Sequence, residues 1–222
     1  LNGAGTNNIA AFARRNAVLG LCAGGYFGAR RIEYHKGFHD EVIEERGLGL
    51  FPGTAISIDT AFGRPYDNDL QSITTPSMAL FSGEKFSVYL HGGAVFKPDP
   101  GYEFGVIRSD LMEMGRFSDL PGQPVCIART NYPEGGVAIL SGVHFELPAA
   151  WVAGHLKTHS EDYRHIGIAL ESAERQRRML FLSALKQCGI ALSPEPRYDH
   201  LMNPLKSFLT RPGFDNLIAA SL

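Results

Sequence analysis

Residues 17–26 read AVLGLCAGGY, an apolar run of strand length that ends on a cysteine set between Gly20 and Gly24. Few arrangements constrain a fold as tightly, because Gly-x-Cys-x-Gly at the end of a buried strand describes a nucleophile elbow. The chain turns from strand into helix so sharply that side chains two residues either side would strike neighbouring backbone. Such a corner lifts the sulfur of Cys22 out of the sheet edge. It also sets the residue at the first turn of a helix, where unpaired N–H groups and the positive end of the helix dipole favour a thiolate. The preceding run, 17–22, reads as a central parallel strand covered on both faces.

The flanking segments extend this α/β reading. A helix is expected from about Thr6 to Arg15, with Ile9, Phe12 and Ala13 at spacings of three and four on one side. A second is expected from Ala23 to about Ile32, its glycines allowing close approach to strands. Between residues 41 and 96 the runs LGLFPGTAISI, QSITTPSMALF and KFSVYLHGGAVF, broken by Gly, Pro, Asn and Asp, predict short β-strands. PVCIART and GVAILSG, joined by the turn-prone NYPEG, predict an antiparallel pair. One long helix is expected from about Glu161 to Cys188, with Arg175, Arg177 and Arg178 on a solvated face. Residues 198–222, interrupted by Pro204 and Pro212, are weakly patterned.

A thiol nucleophile needs a base, and the base needs an orienting group. His144 lies just after the GVAILSG strand in SGVHFELP, with Glu146 two residues on. In extended backbone those two side chains share a side, so the carboxylate can hold one ring nitrogen and leave the other for Cys22. His91, before Gly92 and Gly93, is expected at the cleft, together with Gly24 and Gly25. His35 and His39 are four apart, but Gly37 lies between them and no third ligand is near, so no metal site is expected. Cys126 and Cys188 read as core residues.

Composition removes several other functions. A net charge of -2 provides no basic field for nucleic acid or an anionic membrane. With 44 % hydrophobic and 20 % charged residues the chain reads as an ordinary globular one, without an apolar run long enough to span a bilayer. The three cysteines make neither a metal-ligand spacing nor a disulfide framework, which points to a reducing, cytoplasmic setting.

The order Cys, His, then Glu two residues later, behind a Gly-x-Cys-x-Gly elbow, resembles the class I glutamine amidotransferase-like fold. Members of that class commonly carry His-Pro-Glu, whereas Phe145 stands in the middle here. A narrower resemblance runs in register from residue 1 to about residue 190. LNGAGTNNIAAFARR, LGLCAGGYFGARRIEY, LGLFPGTA, HGGAVF and GVAILSGVHFE are similar to the N-terminal domain of eukaryotic-type biotin-protein ligases.

The resemblance implies a three-layer α/β sandwich with a mostly parallel, flavodoxin-like central sheet. Family members place two strands, a helix and a glycine-rich loop ahead of the LNGAG block, and these N-terminal strands are missing here. It also implies a catalytic set of Cys22, His144 and Glu146, with the Ala23 N–H in the oxyanion hole. The domain division expected is 1–150 for the amidotransferase-like part and 151–222 for a C-terminal helical extension. The implied function is that of an accessory or regulatory domain in protein biotinylation. Its partners would be a ligase module in cis and the biotin-acceptor domains of carboxylases; biotin and ATP would belong to the ligase module, whose Gly-Arg-Gly-Arg-type loop does not occur in this sequence. An active cysteine amidohydrolase or glutaminase is the alternative, and a non-catalytic interaction scaffold the third reading.

Overall fold

The computed structural model describes residues 3–58, 60–62, 66, 70–105, 109–157 and 163–192. The expectation for residues 198–222 lies outside them. Helix α1 (Gly3–Ala13) leads into β1 (Ala17–Leu21), and α2 (Ala23–Gly28) follows with only Cys22 between them. The strand-to-helix corner is therefore where the glycine pattern placed it. The second helix is much shorter than expected, because residues 29–34, ARRIEY, form strand β2 (Ala29–Tyr34). Ala29, Ile32 and Tyr34 are buried while Arg30 faces water. That near-alternation suits a sheet with one covered face better than it suits a helix.

The remaining strands are β3 (Val42–Glu45), β4 (Phe51–Ser57), β5 (Ser77–Ala79), β6 (Lys85–Ser87), β7 (Ala94–Pro98), β8 (Leu111–Phe117), β9 (Val125–Asn131) and β10 (Val137–Ser141). They form two sheets, ordered β1-β10-β9-β8-β5-β6 and β3-β2-β4-β7. The predicted pairing of PVCIART with GVAILSG is present as the antiparallel β9–β10 ladder. The sheets are nevertheless mixed, not mostly parallel: among the strand pairs of the described residues, β1–β10 and β2–β4 run parallel. The other named pairings are antiparallel. Connections of a few residues, such as 132–136 between β9 and β10, force this outcome, since parallel neighbours need a long crossover.

Strand β1 is a second correction. It lies at the edge of the six-stranded sheet, and all five of its residues are partly exposed. An apolar run signals burial of side chains, but carries no information about how many strands flank it.

Three helices follow: α3 (Ala149–Lys157), α4 (Arg164–Ser172) and α5 (Glu174–Gln187). The single long tail helix is thus broken at Ala173. Leu180, Phe181 and Ala184 of α5 lie in one apolar cluster with Met78, Phe117, Ile127, Ile139 and Phe145. A second cluster joins the other sheet to α2 through Tyr26, Ile32, Phe51, Ala55, Phe96 and Leu140. Arg177 is not on a solvated face, for its side chain is only 1 % exposed.

The two sheets approach each other beside the elbow. A Cβ on Gly93 would lie 1.5 Å from the Gly142 carbonyl oxygen, and one on Gly142 would lie 1.8 Å from that of Ala94. Backbone meets backbone there with no room for a side chain. The HGG loop is held against the end of β10 for this reason.

Candidate active site

Cys22 adopts φ 53° and ψ −111°, a backbone conformation rare for any residue with a side chain. Its N–H donates to the Ser141 carbonyl at 2.8 Å, and its own carbonyl accepts the Gly25 N–H at 2.8 Å. The strain is therefore held between the end of β10 and the first turn of α2. Close packing supplies the rest. A Cβ on Gly20 would lie 2.7 Å from the Gly24 carbonyl oxygen, and one on Gly25 would lie 2.8 Å from that of Ser141. Gly24 itself has open space where its Cβ would be, so the second crowded glycine of the elbow is Gly25.

From β10 the chain turns at Ser141, whose hydroxyl accepts the Val143 N–H at 3.1 Å and donates to the Val143 carbonyl at 2.6 Å. That turn delivers His144 to the sulfur and Glu146 to His144. His144 Nδ1 lies 2.6 Å from Glu146 Oε1, with the carboxylate side chain 6 % exposed and the imidazole 21 % exposed. Phe145, between them, points the other way into the core and is fully buried. The departure from His-Pro-Glu thus keeps the i, i+2 geometry and adds an apolar anchor.

Burial opposes a charged ring at His144, but the Glu146 carboxylate and the Cys22 sulfur, which also hydrogen-bonds the ring, outweigh it. Together they raise the imidazole well above the usual histidine value. The protonated ring is thus favoured, held between a carboxylate and a sulfur.

The HGG loop closes the other side. Cys22 Sγ lies 3.7 Å from the His91 carbonyl oxygen, and the Tyr26 hydroxyl donates to the Gly92 carbonyl at 3.1 Å. His91 and Gly92 thus reach the site largely through their main chain. Tyr66 and Gly92 also line a shallow cleft with Ser57, Thr74, Leu90 and Gly93. Ala23 opens α2 directly after the sulfur, where helix N–H groups lack intrahelical acceptors.

Tyr89 was not legible as part of the site. Its backbone pairs with His144 in both directions, at 3.2 and 2.8 Å. Its ring meets the His144 ring edge-on at 5.6 Å and the His91 ring at 6.4 Å. Burial, reinforced by Cys22 and Tyr66, raises its phenol and keeps it protonated. The available signal was its place two residues before His91, which turns both to one side of an extended segment.

Among the described residues no three His, Cys, Asp or Glu side chains gather as a metal site. Asp40 stands between the two histidines, 2.8 Å from His35 Nδ1 and 4.0 Å from His39 Nδ1, and His39 is 96 % exposed. No helix of the described residues is long and apolar enough to cross a membrane.

Fold and site define a mixed α/β protein with a cysteine on a strained elbow, facing a histidine oriented by a carboxylate. Residues 1–210 match the family model described as biotin-protein ligase, N terminal, and the chain belongs to that family. It is 31 % identical over 149 residues to an uncharacterized protein of Chlamydia muridarum, covering 66 % of this chain and 54 % of that protein. It is 30 % identical over 142 residues to a biotin–protein ligase of Schizosaccharomyces pombe, covering 61 % of this chain and 21 % of that enzyme. The chain spans about half the length of the first relative and about a fifth of the second. A crystal structure of a glutamine amidotransferase superposes with a TM-score of 0.45 at 16 % identity, over 83 % of this chain and 68 % of that one.

Proposed function

We propose that the chain acts as the accessory, N-terminal domain of a biotin-protein ligase, in a cytoplasmic setting. In this reading it regulates biotin transfer or recognises the carboxylase acceptor domain, while a ligase module in cis binds biotin and ATP. The family match over residues 1–210 carries it. The three cysteines, all free, agree with a reducing compartment. The test compares the whole protein with a form lacking residues 1–210, measuring biotin transfer to a carboxylase acceptor domain. A changed KM for the acceptor, or a changed response to biotin concentration, is expected. Identical kinetics would overturn the accessory role.

The geometry favours a second reading, in which the domain is itself a cysteine amidohydrolase of the three-layer amidotransferase type. The strained Cys22 beside the His144–Glu146 pair carries this one. With the thiol proton transferred to His144, the sulfur would add to an amide carbonyl carbon, the Ala23 N–H facing the oxygen that gains charge. The tetrahedral adduct would collapse by breaking the C–N bond, and the His144 proton would leave with ammonia. Water would then hydrolyse the thioester, with His144 accepting its proton and returning it to the sulfur. One oxyanion donor is worth about 10²- to 10³-fold in enzymes that depend on two, so a partner donor governs the rate. Ammonia release from glutamine, or a covalent label from an electrophilic glutamine analogue on Cys22, is the expected result. Neither signal from the whole protein would reduce the elbow to architecture.

A further inference from the structure

Arg177 is a cation in the first turn of α5 with a side chain that is 1 % exposed. Its guanidinium donates to the carbonyl oxygens of Leu147 and Leu170, the latter at 2.9 Å, and pairs with Glu174 Oε2 at 2.5 Å. The same Glu174 oxygen accepts the Ala149 N–H at 3.0 Å. One turn further along α5, the Phe181 ring packs 6.3 Å from that of Phe145.

These contacts follow an alternation. Helix α5 takes hold of the loop at residues 145, 147 and 149, and leaves 144 and 146 to pair with each other, His144 meeting the sulfur. A buried arginine is a poor device for stability alone, since apolar residues of similar volume pack there at lower desolvation cost. Its planar fork does something an apolar side chain cannot: it holds a main-chain carbonyl at a defined place and angle. Leu147 is the residue next to Glu146, and a shift of about 0.5 Å there is enough to spoil a hydrogen-bonded constellation.

We propose that Arg177, with Glu174, is a positioning residue of the Cys22 site: the ion pair fixes the loop that presents Glu146 to His144, which makes α5 part of the site. The proposal rests on the reading that Cys22, His144 and Glu146 work as a unit. The groups facing His144 are Glu146 on its own loop, Cys22 from the elbow and Tyr89 from the segment it pairs with. Arg177 reaches this loop through the Leu147 carbonyl, and Arg177→Lys, which keeps the charge, separates an effect passed through the loop from an effect of charge alone.

The test uses the whole chain and needs no substrate. Arg177→Lys, Arg177→Met and Glu174→Gln are compared with Ile32→Ala, which removes a buried side chain from the other apolar cluster. The His144 titration midpoint is read by NMR of the imidazole, assigned with His144→Gln, and the pH profile of Cys22 alkylation by iodoacetamide is read beside it. The Arg177 variants should lower the His144 midpoint by about one pH unit or more and move the alkylation profile with it. Glu174→Gln should do so less, and Ile32→Ala should lower the Tm with both profiles unmoved. Should Arg177→Met not fold, the lysine and Glu174 variants report the same quantity. Lower Tm values with unchanged His144 midpoints would overturn the proposal, and so would a wild-type His144 that titrates at the ordinary value. Failure of a glutamine analogue to label Cys22 overturns the hydrolase reading only, because the midpoint is measured without it.

Discussion

His144 and His35 each bring Nδ1 within hydrogen-bond distance of a carboxylate, and the surroundings of the two pairs differ. His144 lies 2.6 Å from Glu146, and His35 lies 2.8 Å from Asp40. Each ring also has a tyrosine for a neighbour, stacked at 3.9 Å for Tyr34 on His35 and edge-on at 5.6 Å for Tyr89 against His144. Yet the Glu146 side chain is 6 % exposed while that of Asp40 is 44 % exposed. A strained cysteine faces His144; His35 spends its own positive φ of 47° on a turn, its N–H donating to the Ser57 hydroxyl at 2.9 Å. A histidine oriented by a carboxylate is therefore a common structural element. What makes one of them a candidate site is a nucleophile brought to it by a corner that glycine packing alone permits.

The sharpest way to break this contrast is covalent labelling. Cys22→Ala should abolish modification by an electrophilic glutamine analogue, whereas His35→Ala should leave it at the wild-type level. Mass spectrometry after proteolysis reads both, and label retained in Cys22→Ala would remove the elbow from the chemistry. Next in size is the rate of Cys22 alkylation near neutral pH. His144→Ala should slow it by about 10²-fold or more, the usual scale of a positioned acid or base. The equivalent change at His35 should have no effect, and equal losses would dissolve the distinction between the pairs.

The elbow can be probed by paired glycine substitutions. Gly25→Ala drives a methyl to within 2.8 Å of the Ser141 carbonyl oxygen and should cost about 1–3 kcal/mol in denaturant unfolding. Gly24→Ala meets nothing within 4 Å and should gain up to about 1 kcal/mol from helix propensity. The reverse order would mean that Gly24 is the crowded position after all.

The smallest effect is in the pH dependence of stability, and its sign separates the two pairs. His144 titrates well above the usual 6.5 in the folded state. Its contribution is full below about pH 6.5 and lost as pH rises through the raised value. For Asp40, burial acts upward but the hydrogen bond from His35 prevails, holding the carboxyl below 3.8. Its contribution is present above about pH 3.8 and lost as pH falls through the lowered value. Unfolding midpoints of His144→Gln and Asp40→Asn across pH should lose one dependence each, from opposite ends of the scale.

Much of the site was legible because its signals are local. The Gly-Cys-Gly corner, the i, i+2 spacing of His144 and Glu146, and the glycines after His91 each act over a few residues. Phe145 shows the limit of that reading. Its departure from the familiar proline was visible, but its use as an anchor against Phe181 depends on a helix some thirty-five residues later in the chain. Arg177 and Tyr89 were illegible for the same reason. An arginine at a helical position looks solvated until a neighbouring element covers it, and a tyrosine in a strand looks like core until its partner strand is known.

The sequence by itself determined the family, the elbow and the antiparallel β9–β10 hairpin, since each is written in contiguous residues or in a short turn. Tertiary structure alone decided that the sheets are mixed and that β1 lies at an edge. It also decided that residues 29–34 leave the helix for a strand, and that α5 grips the loop carrying Glu146. Periodicity and propensity report what one segment would bury; which neighbour buries it depends on contacts distant in sequence, and those set strand direction, strand order and the surroundings of every side chain at the site.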